Sequence, residues 1–180
     1  FASARNAGGG FLNGAQAQEE SIARASGLYP TLLKCQDYYE INRKNRSCLY
    51  THHMIYSPKV PIWKLEDGTN MEDVITASVI TSPAVNTGVV KRNEPQNIIK
   101  IESTMRERIE MVLAISLENG YDSLVLGAWG CGVFQNDPRE IALWFEDILK
   151  GKYSGQFKRI VFAIYARNER FIAPFKLRFT

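Results

Sequence analysis

The chain reads as an α/β fold in which a mixed sheet is covered on both faces, and three observations lead there. In the second half, short apolar runs rich in β-branched residues alternate with longer segments of helical period. The first half contains runs of strand composition separated by turn signals. Neither an internal repeat nor an interdomain linker interrupts the 180 residues, so a single domain over residues 1–180 is expected.

Each element has its own signal. Residues 8–14 carry four of the glycines and form a loop. Residues 16–25 follow as a helix stopped by Gly27 and Pro30, which places Glu19 and Glu20 near its N-terminus. A second helix is expected over residues 31–42, with Leu32, Leu33, Cys35 and Tyr39 on or near one face. Strands are expected over residues 51–56, 60–63 and 74–81, divided by Ser57-Pro58 and by the turn at residues 66–70. Residues 82–96, with two prolines, read as a loop, either a rim of the site or a plain connection. Helical spacing at Ile98, Ile101, Met105, Ile109, Val112 and Leu113 predicts a helix over residues 97–118 that Asn119-Gly120 stops. It leads into an apolar strand over 123–128. Asp137-Pro138 opens a helix running to Leu149, proline being suited to the first helical position, and residues 158–165 form a last buried strand.

Bulk properties exclude several classes. Hydrophobic residues make up 45% and charged residues 23%, which is ordinary for a globular protein. A net charge of +3 is too mild to serve as a nucleic-acid footprint, so no direct nucleic-acid partner is expected, although diphosphates would not be repelled. Cys35, Cys48 and Cys131 form no CxxC pair and leave an odd thiol, which fits a reducing compartment, cytoplasmic or nuclear. No zinc site is indicated. No apolar stretch approaches the roughly 20 residues needed to span a bilayer, so no membrane partner is expected.

Two segments carry the chemistry. Gly8-Gly9-Gly10 stands a short loop ahead of Gln18-Glu19-Glu20. Consecutive glycines permit positive φ and close approach of the backbone, with N–H groups offered as donors. Carboxylates in the first turn of a helix also have a plain structural reading, because the helix dipole favours them there. The second segment, Gly127-Ala128-Trp129-Gly130-Cys131-Gly132-Val133-Phe134, sits between a strand and a helix, where open α/β sheets place ligand loops. It lacks the lysine of a GxxxxGK[ST] loop, so any phosphate would be held by backbone N–H groups and a helix end. Cys131 has no identifiable histidine partner and reads as a small pocket-lining residue. His52 and His53 lie in an expected strand, pointing to opposite faces, and read as structural.

Together these segments resemble the signature of the bacterial-type poly(ADP-ribose) glycohydrolases of the macrodomain superfamily: GGG, a spacer, then QEE, with a diphosphate-binding glycine loop downstream. The resemblance covers nearly the whole chain, and Phe1-Ala2-Ser3-Ala4-Arg5-Asn6 looks like the segment that follows a core strand in that family. It implies a macrodomain-like three-layer α/β/α fold with a mixed central sheet, apparently lacking its N-terminal portion. The chain begins at Phe1 without an initiating Met, so the resemblance implies a longer parent protein. The absent portion would hold sheet strands and an acidic residue that recognises adenine.

The implied activity is hydrolysis of the ribose–ribose O-glycosidic bond in poly(ADP-ribose), free or on protein, releasing ADP-ribose without metal or redox cofactor. By resemblance, Glu20 is the general acid and then the base. Glu19 and Gln18 position ribose units, and Asn6 contacts the ribose next to the scissile bond. Gly8, Gly9 and Gly10, with the loop Gly130, Cys131, Gly132, Val133 and Phe134, hold the diphosphate. Phe134 matches the aromatic that packs on the ribose at the cleaved bond, and Tyr165 lies near the adenosine end. Two rival functions remain at this point, a mono-ADP-ribosyl hydrolase and an ADP-ribose binding module without turnover; the intact Gln18-Glu19-Glu20 favours catalysis over binding alone. One conflict is internal to the sequence: a general acid needs a raised pKa, yet a helix N-terminus lowers it.

Overall fold

The structure, a computed structural model, describes residues 3–65 and 67–180. Phe1 and Ala2 of the family-like segment, and Glu66 of the expected turn, lie outside the described residues. The chain divides into two compact units, one running to Arg46 and resuming over Tyr50–Pro83, the other made of Ser47–Leu49 and Ala84–Thr180.

The first unit contains helices α1 (Gln18–Ala25), α2 (Leu28–Leu32) and α3 (Gln36–Lys44) and strands β1 (Ile55–Lys64) and β2 (Asn70–Thr81). The helix expected over residues 31–42 is thus two helices. Pro30 does not stop α1; it occupies the first turn of α2, where a missing N–H breaks no intrahelical bond. The two strands expected at 51–56 and 60–63 are one. β1 pairs antiparallel with β2, Ile55 opposite Thr81 and Ile62 opposite Ile75, and its register shifts between Ser57 and Val60. Pro58 and Lys59, the latter with φ 49°, lie within that irregularity, where proline removes no ladder bond. His52 and His53 precede β1 and belong to no strand, so strand alternation does not govern them. The core of the unit gathers Leu28, Leu32, Tyr38, Tyr39, Ile55 and Val60, with Ala7, Ile22, Cys35 and Val79 packed against it.

The second unit contains α4 (Thr87–Asn93), α5 (Ile101–Glu118), β3 (Ser123–Leu126), α6 (Pro138–Lys150), β4 (Arg159–Phe162) and α7 (Ala173–Phe179). Within the segment expected to be a loop at 82–96 lies α4, capped by the Asn86 side chain, which accepts from the Val89 N–H. A 3₁₀ turn over Pro95–Lys100 takes the first residues of the helix expected from 97, and α5 begins after it. Asp137 caps α6 and Pro138 opens it, as expected. β3 and β4 pair parallel, Ser123 opposite Arg159 and Leu126 opposite Phe162. Aromatic rings tie the unit together, Phe162 standing 5.3 Å from Phe145 and 5.0 Å from Phe175 between centroids. Both strand orientations of a mixed sheet are present among the described residues, as two separate two-stranded pairs.

Candidate active site

In the first unit the chain reaches α1 through a series of tight turns. The Gly9 N–H donates to the Asn6 carbonyl at 3.0 Å and the Phe11 N–H to the Gly8 carbonyl at 3.2 Å. Gly8 and Gly9 both adopt left-handed conformations, φ 67° and 59°. At Gly9 the absent side chain has a second reason: a Cβ there would stand 2.2 Å from the Glu20 Oε1. Only glycine lets the backbone lie against that carboxylate.

No side chain caps α1, and the two carboxylates of its first turn reach instead to the turn beside it. Glu19 accepts from the Ser3 N–H at 2.5 Å with one oxygen and from the Gly8 N–H at 3.1 Å with the other. Glu20 accepts from the Gly10 N–H at 3.0 Å through Oε1, and its Oε2 has no partner among the described residues. Both side chains are buried, Glu19 3% and Glu20 8% exposed. Asn6 and Gln18 are exposed on either side of them in sequence. The expectation that the glycine N–H groups are offered to a ligand is therefore revised, because Gly8, Gly9 and Gly10 all donate within the chain. Their role in this geometry is to seat the carboxylates.

At Glu19 burial outweighs the pull of the helix end. Removal from water, and secondarily the charge of Glu20, push its pKa up to about 7 against the opposing N–H bonds of Ser3 and Gly8. Tyr39 shares this interior, its hydroxyl enclosed and without a hydrogen-bond partner among the described residues. Burial first, then the Glu19 charge, raise its pKa as well.

In the second unit, residues 127–136 leave β3 and turn back to α6. Gly130 adopts φ 72°, and a Cβ on it would meet the Asn136 Nδ2 at 2.3 Å and the Ala84 Cβ at 2.5 Å. The buried Asn136 side chain donates to the Val85 carbonyl at 2.9 Å and the Gly130 carbonyl at 3.2 Å, and accepts from the Thr87 hydroxyl at 2.6 Å. The Gly88 N–H adds a bond to the Phe134 carbonyl at 3.0 Å. The loop is thereby fastened to the start of α4. Sequence reading missed Asn136, Thr87 and Gly88; the only signal was an Asn directly before the Asp-Pro that opens α6.

Outside these fastenings the loop is open. The N–H groups of Gly132 and Val133 have no partner among the described residues, Val133 is 81% exposed, and a Cβ on Gly132 would touch nothing within 4 Å. Phe134 is half-buried. Cys131 is buried, and burial, reinforced by Asp137, pushes its thiol up to about 12, so it stays protonated at neutral pH and is no nucleophile. Tyr165 follows β4 outside any strand and is 91% exposed.

Paired carboxylates seated on a glycine turn, one with an open oxygen, are the equipment of an acid–base hydrolase. The family model for the catalytic domain of microbial-type poly(ADP-ribose) glycohydrolase matches residues 1–65. Among solved structures, the poly(ADP-ribose) glycohydrolase of Deinococcus radiodurans in complex with ADP-ribose is 41% identical, with a TM-score of 0.93 over 98% of this chain and 72% of that one. The Thermomonospora curvata enzyme bound to the inhibitor ADP-HPD is also 41% identical, with a TM-score of 0.93 over 99% of this chain and 68% of that one. Comparison with curated proteins gives no match. The chain belongs to the microbial-type poly(ADP-ribose) glycohydrolases.

Proposed function

We propose that residues 1–180 form one catalytic domain that hydrolyses the ribose–ribose O-glycosidic bond of poly(ADP-ribose), on protein or free, and releases ADP-ribose. The observation that carries this reading is the Glu20 carboxyl, held at Oε1 by the Gly10 N–H with Oε2 unpartnered among the described residues. From Oε2 the protonated acid delivers its proton to the departing ribose hydroxyl as the glycosidic bond breaks and the other ribose takes on oxocarbenium character. The resulting carboxylate then takes a proton from the attacking water, which restores the acid.

Glu19 acts differently, because both its oxygens hold backbone N–H groups. It keeps residues 3–8 in place, and through them Asn6, which with Gln18 orients the ribose units. The free N–H groups of Gly132 and Val133 suit a diphosphate, with Gly130 and Cys131 shaping the loop, Phe134 packing on a ribose and Tyr165 at the adenosine end. No helix of the described residues is long and apolar enough to cross a membrane. All three cysteines are free, which suits a reducing cytoplasmic or nuclear compartment.

Incubation with defined poly(ADP-ribose) and chromatography of the products tests the reading. Release of ADP-ribose is expected. Removal of single units from mono-ADP-ribosylated protein, with chains left intact, would move the assignment to a mono-ADP-ribosyl hydrolase. Binding without any product would leave only a binding module.

A further inference from the structure

Ion pairing is distributed unevenly over the chain. The second unit carries a series of ion pairs, from Arg106 with Glu102 and Asp147 to Arg178 with Glu146. In the first unit Arg5, Arg43, Lys44 and Arg46 are all exposed, and none has a carboxylate within 4.0 Å among the described residues. Glu40 precedes Arg43 and Lys44 by three and four positions on α3, a spacing that allows ion pairs, yet forms none with them.

Arg5 and α3, which carries Arg43 and Lys44, are brought together by specific bonds. The Arg43 Nη1 donates to the Arg5 carbonyl at 2.7 Å, and the Tyr38 hydroxyl, on the same helix, donates to the Ser3 carbonyl at 3.3 Å. Both bonds seat the segment that leads into the glycine turn against α3. The Arg43 guanidinium is therefore held at the residue next to Asn6, and Lys44 and Arg46 follow it in sequence at and just past the end of α3. The negative end of the helix dipole offsets only part of their mutual repulsion. Such a cluster favours an external anion.

We infer that Arg5, Arg43, Lys44 and Arg46 bind the diphosphate of the ADP-ribose unit adjoining the one released. The inference rests on the proposed glycohydrolase activity and deepens it: this cluster recognises the continuing polymer, while the carboxylates and the glycine loop handle the unit that leaves. A polymer with a diphosphate in every repeat gains from it, and a lone ADP-ribose does not.

The test combines Arg5→Gln, Lys44→Gln and Arg46→Gln in the full chain, keeping Arg43 because its guanidinium holds the Arg5 carbonyl. KM for long poly(ADP-ribose) is measured at low and moderate salt, beside the Kd of ADP-ribose and a thermal melt. The expected result is a KM for long chains raised about tenfold at low salt with a shallower salt dependence, as loss of phosphate contacts requires. ADP-ribose affinity and melting stay unchanged. Unchanged KM and salt dependence in an active, folded variant overturn the inference, as does an equal loss of ADP-ribose affinity, which would place the cations at the released unit. A wild-type chain that cleaves no poly(ADP-ribose) overturns the reading of function instead.

Discussion

The two units use the same materials in opposite ways. In the first, the N–H groups of the glycine triplet are engaged by Asn6, Glu19 and Glu20, while Arg5, Arg43, Lys44 and Arg46 have no carboxylate within 4.0 Å among the described residues. In the second, ion pairs occupy many of the surface charges, while the N–H groups of Gly132 and Val133 are left open. A glycine-rich motif is thus not one device. Near carboxylates its donors hold side chains still for proton transfer; beyond a strand they are available to phosphate oxygens.

The strongest way to break this comparison is Glu20→Gln, which keeps shape and removes the exchangeable proton. Hydrolysis should fall on the order of 10³-fold, the typical scale of general acid–base catalysis, with ADP-ribose affinity retained in calorimetry. Turnover like wild type would end the assignment of Glu20. Next comes the pH dependence of stability set by Glu19. Its pKa is raised in the folded chain from 4.5 to about 7, so between those values the folded state holds a proton that the unfolded state has lost. Stability from this group is therefore full below about pH 4.5 and declines as pH rises to about 7, by on the order of 3 kcal/mol. Thermal melts across that window should show the decline in wild type and a flatter profile in Glu19→Gln. Identical slopes would remove the raised pKa from the account.

Gly9→Ala has a smaller effect but reaches the same carboxylate through the backbone. A left-handed alanine costs about 1–2 kcal/mol, and its Cβ displaces the Glu20 Oε1, so kcat should drop roughly tenfold or more alongside a lower melting temperature. In the second unit the expected signature is the reverse. Asn136→Ala takes a side-chain partner from the Thr87 hydroxyl and the Val85 carbonyl, at about 1–3 kcal/mol, while the backbone N–H of residue 136 still holds the Gly130 carbonyl, and should weaken ADP-ribose binding about tenfold with little change in kcat at saturation. Gly132→Val is the mildest. Nothing crowds a Cβ at that site, so the melt should hold while binding weakens roughly several-fold from restriction of the loop. Unchanged affinity in both variants would place the diphosphate elsewhere.

Much of this was legible in the sequence, for reasons that differ by element. α6 begins where its residues say, because an Asp-Pro is a local signal, and α1 starts two residues after its expected position without a side-chain cap. α4 was hidden: seven residues containing Gly88 and two valines carry little helical preference, and its cap from Asn86 lies between prolines that read as loop. α7 gave no sequence warning either, since its aromatic face, including Phe175 and Phe179, shows its purpose only beside Phe162. At the site, the carboxylate pair and both glycine segments were visible. The destination of each backbone donor was not, because every residue but proline carries the same N–H and only the fold decides what it meets. The same limit concealed Asn136, whose side chain is occupied by partners 6, 49 and 51 positions away.

One consequence of the glycine turn concerns what mutagenesis can reach. The donor that holds the Glu20 Oε1 is the peptide nitrogen of Gly10, and those that hold Glu19 are the peptide nitrogens of Ser3 and Gly8. None of the twenty side chains carries these atoms, and only proline, by distorting the whole turn, deletes one. An amide-to-ester replacement at residue 10, made by chemical ligation, exchanges that single nitrogen for oxygen and leaves every side chain as it was. It would free the second oxygen of Glu20 to accept the proton, so that the acid no longer has one face from which to deliver it.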